Sequence, residues 1–271
     1  MEFNDFNVQA NNYNTYAPRF SFSGVAIKSL MGLLLIAVIV CGYLFTGFSL
    51  LRTLPTFVAL LFLFGLTFLQ NFLSKKVETS ENKLGFWLGA VICQGIFIAE
   101  FVNQLIMIMA IQSNDILATI GSLPAILFLA VGGTFALAIA GILTLPYLLK
   151  RAEKTLSFLN VFMRVATTFI IIMAVISLVG VLFSLFGGNV VSNFVFEMFY
   201  GANFLSIAIA VIYLLISCGM FVMSLMGIAL LKDQGKSEEW YASLLIVEII
   251  SLMFYYLFNI LIQIFASSDN D

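Results

Sequence analysis

Seven long runs of apolar residues dominate this sequence, and each carries at most one charged side chain. A helix needs about 20 predominantly apolar residues to cross the hydrocarbon core of a bilayer. The chain is 62% hydrophobic and only 10% charged, a composition that a soluble domain of 271 residues could not bury. We therefore predict an all-α polytopic membrane protein with seven transmembrane helices, at about residues 25–48, 54–73, 84–112, 122–149, 159–186, 203–231 and 240–266.

The stretches between the runs divide the chain. Residues 1–22 are rich in Asn and are predicted to form a polar cytoplasmic tail, since they lack the pattern of a cleavable signal peptide. Residues 23–271 are predicted to form a single transmembrane domain. Within it, 188–202 would make an overlong helix if merged with the following run, so we interpret it as an interfacial or re-entrant segment. Pro55 and Pro124 are expected to open the second and fourth helices, where a missing N–H costs least.

The distribution of lysine and arginine predicts the orientation of the chain. With seven spans, the side opposite the N-terminus holds only Arg52, whereas basic residues are enriched in cytoplasmic loops. The N-terminus is therefore predicted to be cytoplasmic and the C-terminus outside, and the lack of targeting signals favours a bacterial cytoplasmic membrane. The basic residues assigned to the cytoplasmic side, helix ends included, are Arg19, Lys28, Lys75, Lys76, Lys83, Lys150, Arg151, Lys154, Arg164, Lys232 and Lys236.

Composition also excludes several kinds of function. A net charge of −2 without a basic patch argues against a nucleic-acid partner. The absence of histidine removes the usual zinc, haem and catalytic-triad chemistries, and no catalytic or phosphate-binding motif is present, so we predict neither an enzyme nor a cofactor. No metal site is predicted, and proton sensing must depend on carboxylates.

Glu248 is the most unusual residue of the last run. A carboxylate in the middle of a transmembrane helix costs about 2.5–3.5 kcal/mol, so it should face the bundle interior and have partners. Helical spacing places Ser251, Tyr255 and Asn259 on its face, which forms a polar stripe. The last helix is therefore predicted to be central in the bundle. Glu248 would be either a neutral, hydrogen-bonded contact between helices or an ion or proton site.

Glu100 is the second unusual carboxylate, in the middle of the third run. Asn103 and Gln104 follow it at helical spacing, so a structural polar network and a polar pore lining both remain open. In the fourth run, Gly132, Ala136 and Ala140 form a ridge of small residues that predicts close packing with a neighbouring helix.

Two short elements are similar to the Bax inhibitor-1 (YccA-like) family. "GGTFALAIAGI" is followed by a basic loop and "KTLSFLNVFM", and the last third has the family's layout of a helix, a polar cytoplasmic loop and "LLIVEIISLMFYYLF". The resemblance covers most of the chain from about residue 25. It implies a seven-helix membrane protein that leaks calcium under pH control, or that regulates cell death or membrane proteolysis.

The resemblance also implies roles for particular residues. In the family, two aspartates on the last two helices share a proton and close the pore; Glu248 stands at the second position and Ser224 at the first. A serine and a glutamate cannot share a proton as a carboxylate pair does, so only a single-site pH switch could operate. Lys75 or Lys76 stands near the position of a basic latch residue.

Two functions follow as hypotheses. The first is a passive cation leak in which calcium passes weakly, because the oxygen ligands available are sparse. The second is a non-conducting regulator that binds another membrane protein, such as a membrane protease, through the tail or through residues 232–239. The predicted partners are thus the lipid bilayer together with calcium ions or a second membrane protein.

Overall fold

The computed structural model describes residues 20–47, 49, 53, 56–112, 116–185, 198, 203–230 and 238–268. Over these residues the chain forms seven long helices and no strand. They are α1 (Phe22–Thr46), α2 (Thr56–Thr79), α3 (Lys83–Gln112), α4 (Ile116–Leu149), α5 (Ala152–Leu185), α6 (Phe204–Leu230) and α7 (Glu238–Ser268). The predicted segment at 188–202 lies outside the described residues, except for Met198.

Short polar side chains set several of the helix ends. Ser21 caps α1, its hydroxyl accepting a hydrogen bond from the backbone N–H of Gly24, and Gly47 ends the helix in the left-handed region at φ 62°. At the start of α3, the side chain of Asn82 accepts a hydrogen bond from the N–H of Gly85. Asn203 does the same for α6. These caps satisfy backbone groups that the helices themselves leave unpaired.

The seven helices alternate in direction. Gln70 of α2 contacts Gln94 of α3, and Gly89 of α3 lies against Leu73 of α2, as in an antiparallel hairpin. Helices α5 and α6 are likewise antiparallel, whereas α1, α3 and α7 run parallel to one another, so α1, α3, α5 and α7 all begin at one end of the bundle. Further pairs that establish these directions are Phe162 with Gly219, Met173 with Ile209, Gly133 with Leu257, Ser206 with Gln263, and Lys28 with Glu239.

The last helix is central, as the sequence predicts. It packs against α1, α2, α3, α4 and α6, whereas α5 lies at the edge of the bundle against α6 and, to a smaller extent, α4. Consistent with this difference, 44% of the membrane-length window of α7 is buried inside the protein, against 11% for α5. Beyond Thr168 the exposed surface of α5 is apolar, which is typical of a helix that faces lipid.

Six of the seven helices are long and apolar enough to cross a membrane, which identifies the chain as an integral, multi-pass membrane protein. These six are α1, α3, α4, α5, α6 and α7. Over the described residues α2 is not among them, and its C-terminal part, "QNFLSKKVET", is polar.

The structure corrects two details of the fourth helix. It begins at Ile116, so Pro124 lies inside it rather than at its start; neighbouring helices make such a proline tolerable in a membrane protein. The ridge of Gly132, Ala136 and Ala140 is exposed, and the opposite face packs instead. A Cβ atom at Gly133 would lie 2.6 Å from Leu257 of α7, so this glycine permits the close approach of the two helices.

Candidate functional site

A polar cluster joins α2, α3 and α7 inside the bundle. One carboxylate oxygen of Glu248 accepts hydrogen bonds from the hydroxyl of Ser74 at 2.9 Å and from the side-chain amide of Gln70 at 3.3 Å. The same amide donates to the side-chain oxygen of Gln94 at 2.6 Å, and Gln94 donates to the hydroxyl of Ser251 at 2.8 Å. We name Gln70, Ser74, Gln94, Glu248 and Ser251 the Glu248 cluster.

The hydrogen-bond network begins at the side chain of Glu248 on α7 and ends at the backbone of the same residue. The hydroxyl of Ser251 donates to the backbone carbonyl of Glu248 at 2.8 Å. Gln94 and Ser251 are each 3% exposed, whereas Glu248 is half-buried. The hydrogen-bond donors to the side chain of Glu248 among the described residues are a hydroxyl and an amide, both neutral.

Helical spacing brings these side chains together. Gln70 and Ser74 are one turn apart on α2 and therefore share a face. Glu248 follows the first residue of α7 by about 15 Å, at about 1.5 Å per residue. Gln94 lies at a similar distance from the start of α3, which runs parallel to α7. The cluster thus lies well below the end of the bundle at which both helices begin.

The residues that the resemblance pairs with Glu248 are not the donors of these two hydrogen bonds. Ser224 is half-buried on α6, and the hydrogen bonds of the carboxylate over the described residues come from α2 instead. Lys75 and Lys76 are exposed at the end of α2, and the ammonium group of Lys76 lies 5.7 Å from the ring of Phe72. The side chain that reaches Glu248 from this end of α2 is Ser74, one residue earlier.

Glu100 lies in a second polar cluster, in the other half of α3. It is fully buried and accepts a hydrogen bond at 2.9 Å from the hydroxyl of Ser49, in the connection between α1 and α2. Gln104 donates to the same hydroxyl at 3.4 Å, whereas Asn103 is half-buried without being part of this pair of bonds. Glu100 is thus bonded to the connection between α1 and α2.

The polar residues of the predicted stripe on α7 contact different neighbouring helices. Asn259 accepts a hydrogen bond at 2.7 Å from Gln263, which itself accepts one at 2.6 Å from Ser206 of α6. Tyr255 packs edge-on against Phe101 of α3, with ring centroids 5.6 Å apart. The stripe of the sequence analysis therefore faces α2 and α3 near Glu248 and α6 near Gln263.

Aromatic rings follow the Glu248 cluster along the interface of α3 and α7. Phe97 and Phe101 lie one and two turns beyond Gln94 on its face, and their centroids are 4.5 Å apart. Tyr255 lies one turn beyond Ser251 and contacts Phe101. A layer of aromatic rings therefore lies between α3 and α7 beyond the Glu248 cluster, at the depth of Glu100, which is on another face of α3.

Two ion pairs join the starts of α1, α3 and α7. Glu239 is fully buried and pairs with Lys28 of α1, and it also accepts a hydrogen bond from the backbone N–H of Ser21 at 2.8 Å. Lys28 lies 4.6 Å from the ring centroid of Trp240. Lys83 of α3 pairs with Glu238 at 2.7 Å in a more exposed position. These pairs anchor the end of the bundle nearest to Glu248.

Over the described residues, no group of three or more acidic or thiol side chains is placed to hold a metal ion. The two carboxylates of the bundle interior, Glu248 and Glu100, belong to separate clusters. An arrangement of single carboxylates with amide and hydroxyl oxygens offers a cation few ligands at any one place, which is too few for tight calcium binding.

Sequence reasoning missed the α2 side of the cluster. Gln70 was visible as an amide inside the run "FGLTFLQNFL", but nothing in the period of a single helix shows which neighbour its face meets. Gln94 is visible near Glu100 in the third run, but its partners on α2 and α7 are not predictable from that run. Ser74 and Ser49 were missed because they lie outside the apolar runs. A search for every amide and hydroxyl inside the runs would have found Gln70 and Gln94, whereas Ser49 and Ser74 each lie one residue beyond a run.

No family model matches this chain, and neither do any curated protein or any solved structure. The similarity to the Bax inhibitor-1 family therefore stays a prediction that depends on its short sequence elements.

Proposed function

We propose that this protein is a passive cation leak, of the Bax inhibitor-1 type, and that calcium is a permeant ion. The observation that carries this proposal is the Glu248 cluster, which places a carboxylate with neutral donors inside a bundle of membrane-spanning helices. Ionisable residues at such positions are costly and usually mark ion or proton pathways. The alternating directions of the seven helices support seven membrane spans, α2 included.

In this proposal, the conformation described here is closed. The ring layer of Phe97, Phe101 and Tyr255 blocks the interface of α3 and α7 beyond the cluster. The hydrogen bonds from Gln70 and Ser74 tie α2 to α7 at the carboxylate. A change in the proton or cation bound at Glu248 alters these bonds, and α2 then separates from α7 to open the path.

The charges at the end where the odd-numbered helices begin support the proposed orientation. Lys75, Lys76 and Lys83 lie there, at the α2–α3 turn, and Lys150 and Arg151 lie in the turn between α4 and α5. Because cytoplasmic loops are enriched in basic residues, we assign this end to the cytoplasm and propose a bacterial cytoplasmic membrane as the location.

The test is calcium entry into proteoliposomes at pH 6, 7 and 8. We expect a pH-dependent flux in the native chain that loses its pH dependence in Glu248→Gln, because the amide cannot exchange a proton. Ser74→Ala should change the flux and its pH dependence, since it removes a donor to the carboxylate. The matched control is Ser224→Ala, which leaves the hydrogen bonds of Glu248 unchanged.

The possible outcomes test the leak and the proposed gate separately. No flux at any pH, with the protein folded and inserted, would exclude a leak and leave Glu248 as a structural contact. A flux that depends on Ser224 and not on Ser74 would support the carboxylate–serine pair of the family resemblance and contradict the gate proposed from the geometry.

The alternative function is a regulator that binds a membrane protein through the tail or through residues 232–239. Nearly all of these residues lie outside the described part of the chain. A different surface, on α5, favours a protein partner for independent reasons.

A further inference from the structure

Arg164 lies in an unusual position for a charged residue. It is exposed, and it follows the first residue of α5 by about 18 Å, at about 1.5 Å per residue. Phe162, two residues earlier, packs against Gly219, which is near the middle of α6. Arg164 is therefore level with the centre of the bundle, on the least buried of the six membrane-length helices.

The side chain points away from the rest of the protein. The packing face of α5 includes Phe162, Ala166 and Met173, which are directed towards α6. At about 100° per residue, Arg164 lies roughly opposite to Ala166. The ion pairs of the described residues join Lys28 to Glu239 and Lys83 to Glu238, and neither involves Arg164.

Other polar residues extend this position into a stripe. All of them are exposed and recur at three- and four-residue spacing from the start of α5 to the level of Arg164 and one turn beyond. Apolar side chains such as Val161 and Val165 flank the stripe and are more than half exposed. The members of the stripe, which we name the α5 stripe, are Glu153, Ser157, Asn160, Arg164, Thr167 and Thr168.

We propose that the α5 stripe binds a membrane-spanning helix of another protein that carries a carboxylate at mid-membrane depth. An arginine is costly in contact with hydrocarbon, so it requires an anion, and the amide of Asn160 and the hydroxyl of Thr167 can donate to polar groups on the same partner helix. The hydroxyl of Thr168 donates to the backbone carbonyl of Arg164 at 3.0 Å. The guanidinium group is suited to a carboxylate because its planar donors match both oxygens. The inference concerns a surface separate from the proposed pore and holds whether or not the chain conducts ions.

Two other occupants fit less well. Lipid phosphate lies at the membrane surface, and about 18 Å of helix is more than half of a hydrocarbon core of about 30 Å, too far for the side chain to reach. A second copy of the chain offers no suitable carboxylate among the described residues, because Glu100 is fully buried and Glu248 is already hydrogen-bonded to α2. A symmetric contact through this face would also place two arginines against each other.

The test uses the full chain in proteoliposomes with synthetic leucine–alanine transmembrane peptides that carry Glu, Gln or Leu at the centre. Fluorescence energy transfer from the labelled protein to the labelled peptide measures association at several peptide-to-lipid ratios. We expect the Glu peptide to bind more tightly than the Gln and Leu peptides, and Arg164→Leu to weaken that binding by about tenfold. Arg164→Lys should keep part of the preference, because it retains the charge.

Arg151→Leu is the matched control, since it makes the same substitution at an exposed arginine in the turn before α5, outside the stripe. It should leave binding of the Glu peptide unchanged. Equal binding of the three peptides, or equal effects of Arg164→Leu and Arg151→Leu, would overturn the proposal. Energy transfer between two labelled copies that depends on Arg164 would assign the face to self-association instead, and an Arg164-dependent enrichment of anionic lipid without a peptide preference would assign it to lipid.

Discussion

Helices α5 and α7 each have one charged residue inside a long apolar run, yet the two charged residues have opposite surroundings. Glu248 of α7 lies in the bundle and receives hydrogen bonds from α2. Arg164 of α5 is exposed at the edge of the bundle. A charged residue at membrane depth is costly without a partner. Glu248 has its partners inside the chain, whereas the partner that we propose for Arg164 comes from outside it.

The comparison predicts that charges on α7 stabilise the isolated protein, whereas the charge on α5 does not. The largest effect is expected at the start of α7. Lys28→Met would leave Glu239 fully buried without its cation, and removing one partner of a buried ion pair costs about 3–5 kcal/mol. Chemical or thermal unfolding in detergent measures this loss.

The control for Lys28→Met is Lys83→Met, which removes the more exposed pair with Glu238. A partly exposed ion pair contributes about 0–1 kcal/mol, so the control should lose much less stability. Equal losses in the two variants would show that burial of Glu239 does not decide the cost.

A smaller effect is expected at Glu248. Glu248→Leu removes the acceptor for Ser74 and Gln70 and leaves these donors inside the bundle, which should cost about 1–3 kcal/mol of unfolding free energy. Glu248→Gln keeps a side-chain oxygen and should lose less. If Glu248→Leu were as stable as the native chain, the cluster would not be a structural contact, and a purely functional role would be favoured.

The smallest effect is expected at Arg164. Arg164→Leu removes no ion pair of the described residues, so the unfolding free energy should change by no more than about 0.5 kcal/mol. The same unfolding experiment in detergent, without a partner, provides the measurement. A loss comparable to that of Glu248→Leu would mean that Arg164 is satisfied within the chain, and the contrast between α5 and α7 would fail.

Much of the fold could be predicted from the sequence, because apolar runs of membrane length leave few alternatives to helices. The third and sixth helices match their predicted ranges within one residue at each end. The start of the fifth was placed too late: α5 begins at Ala152, so Arg164, which had been counted with the basic residues at the cytoplasmic helix ends, lies well inside the helix. Hydropathy marks where a segment becomes apolar, not where its helix begins.

The candidate site was only half predictable. Glu248 and Ser251 were identified because they share a face of one helix, which depends only on helical period. Their partners Gln70, Ser74 and Gln94 depend on how α2 and α3 are rotated against α7, and that rotation is determined by packing contacts distant in sequence. The exposed ridge of Gly132 on α4 has the same explanation, since the pattern of small residues predicts close packing without stating which face provides it.

The pair of Lys28 and Glu239 also has a consequence for biogenesis. These residues are 211 positions apart, so α1 leaves the ribosome long before its counter-ion has been synthesised. Until α7 arrives, the lysine of α1 must remain near water or be held by the insertion machinery. Helix α7 therefore supplies the counter-ion of α1. A nascent chain interrupted before α7 would expose an unpaired lysine that a membrane quality-control protease could recognise.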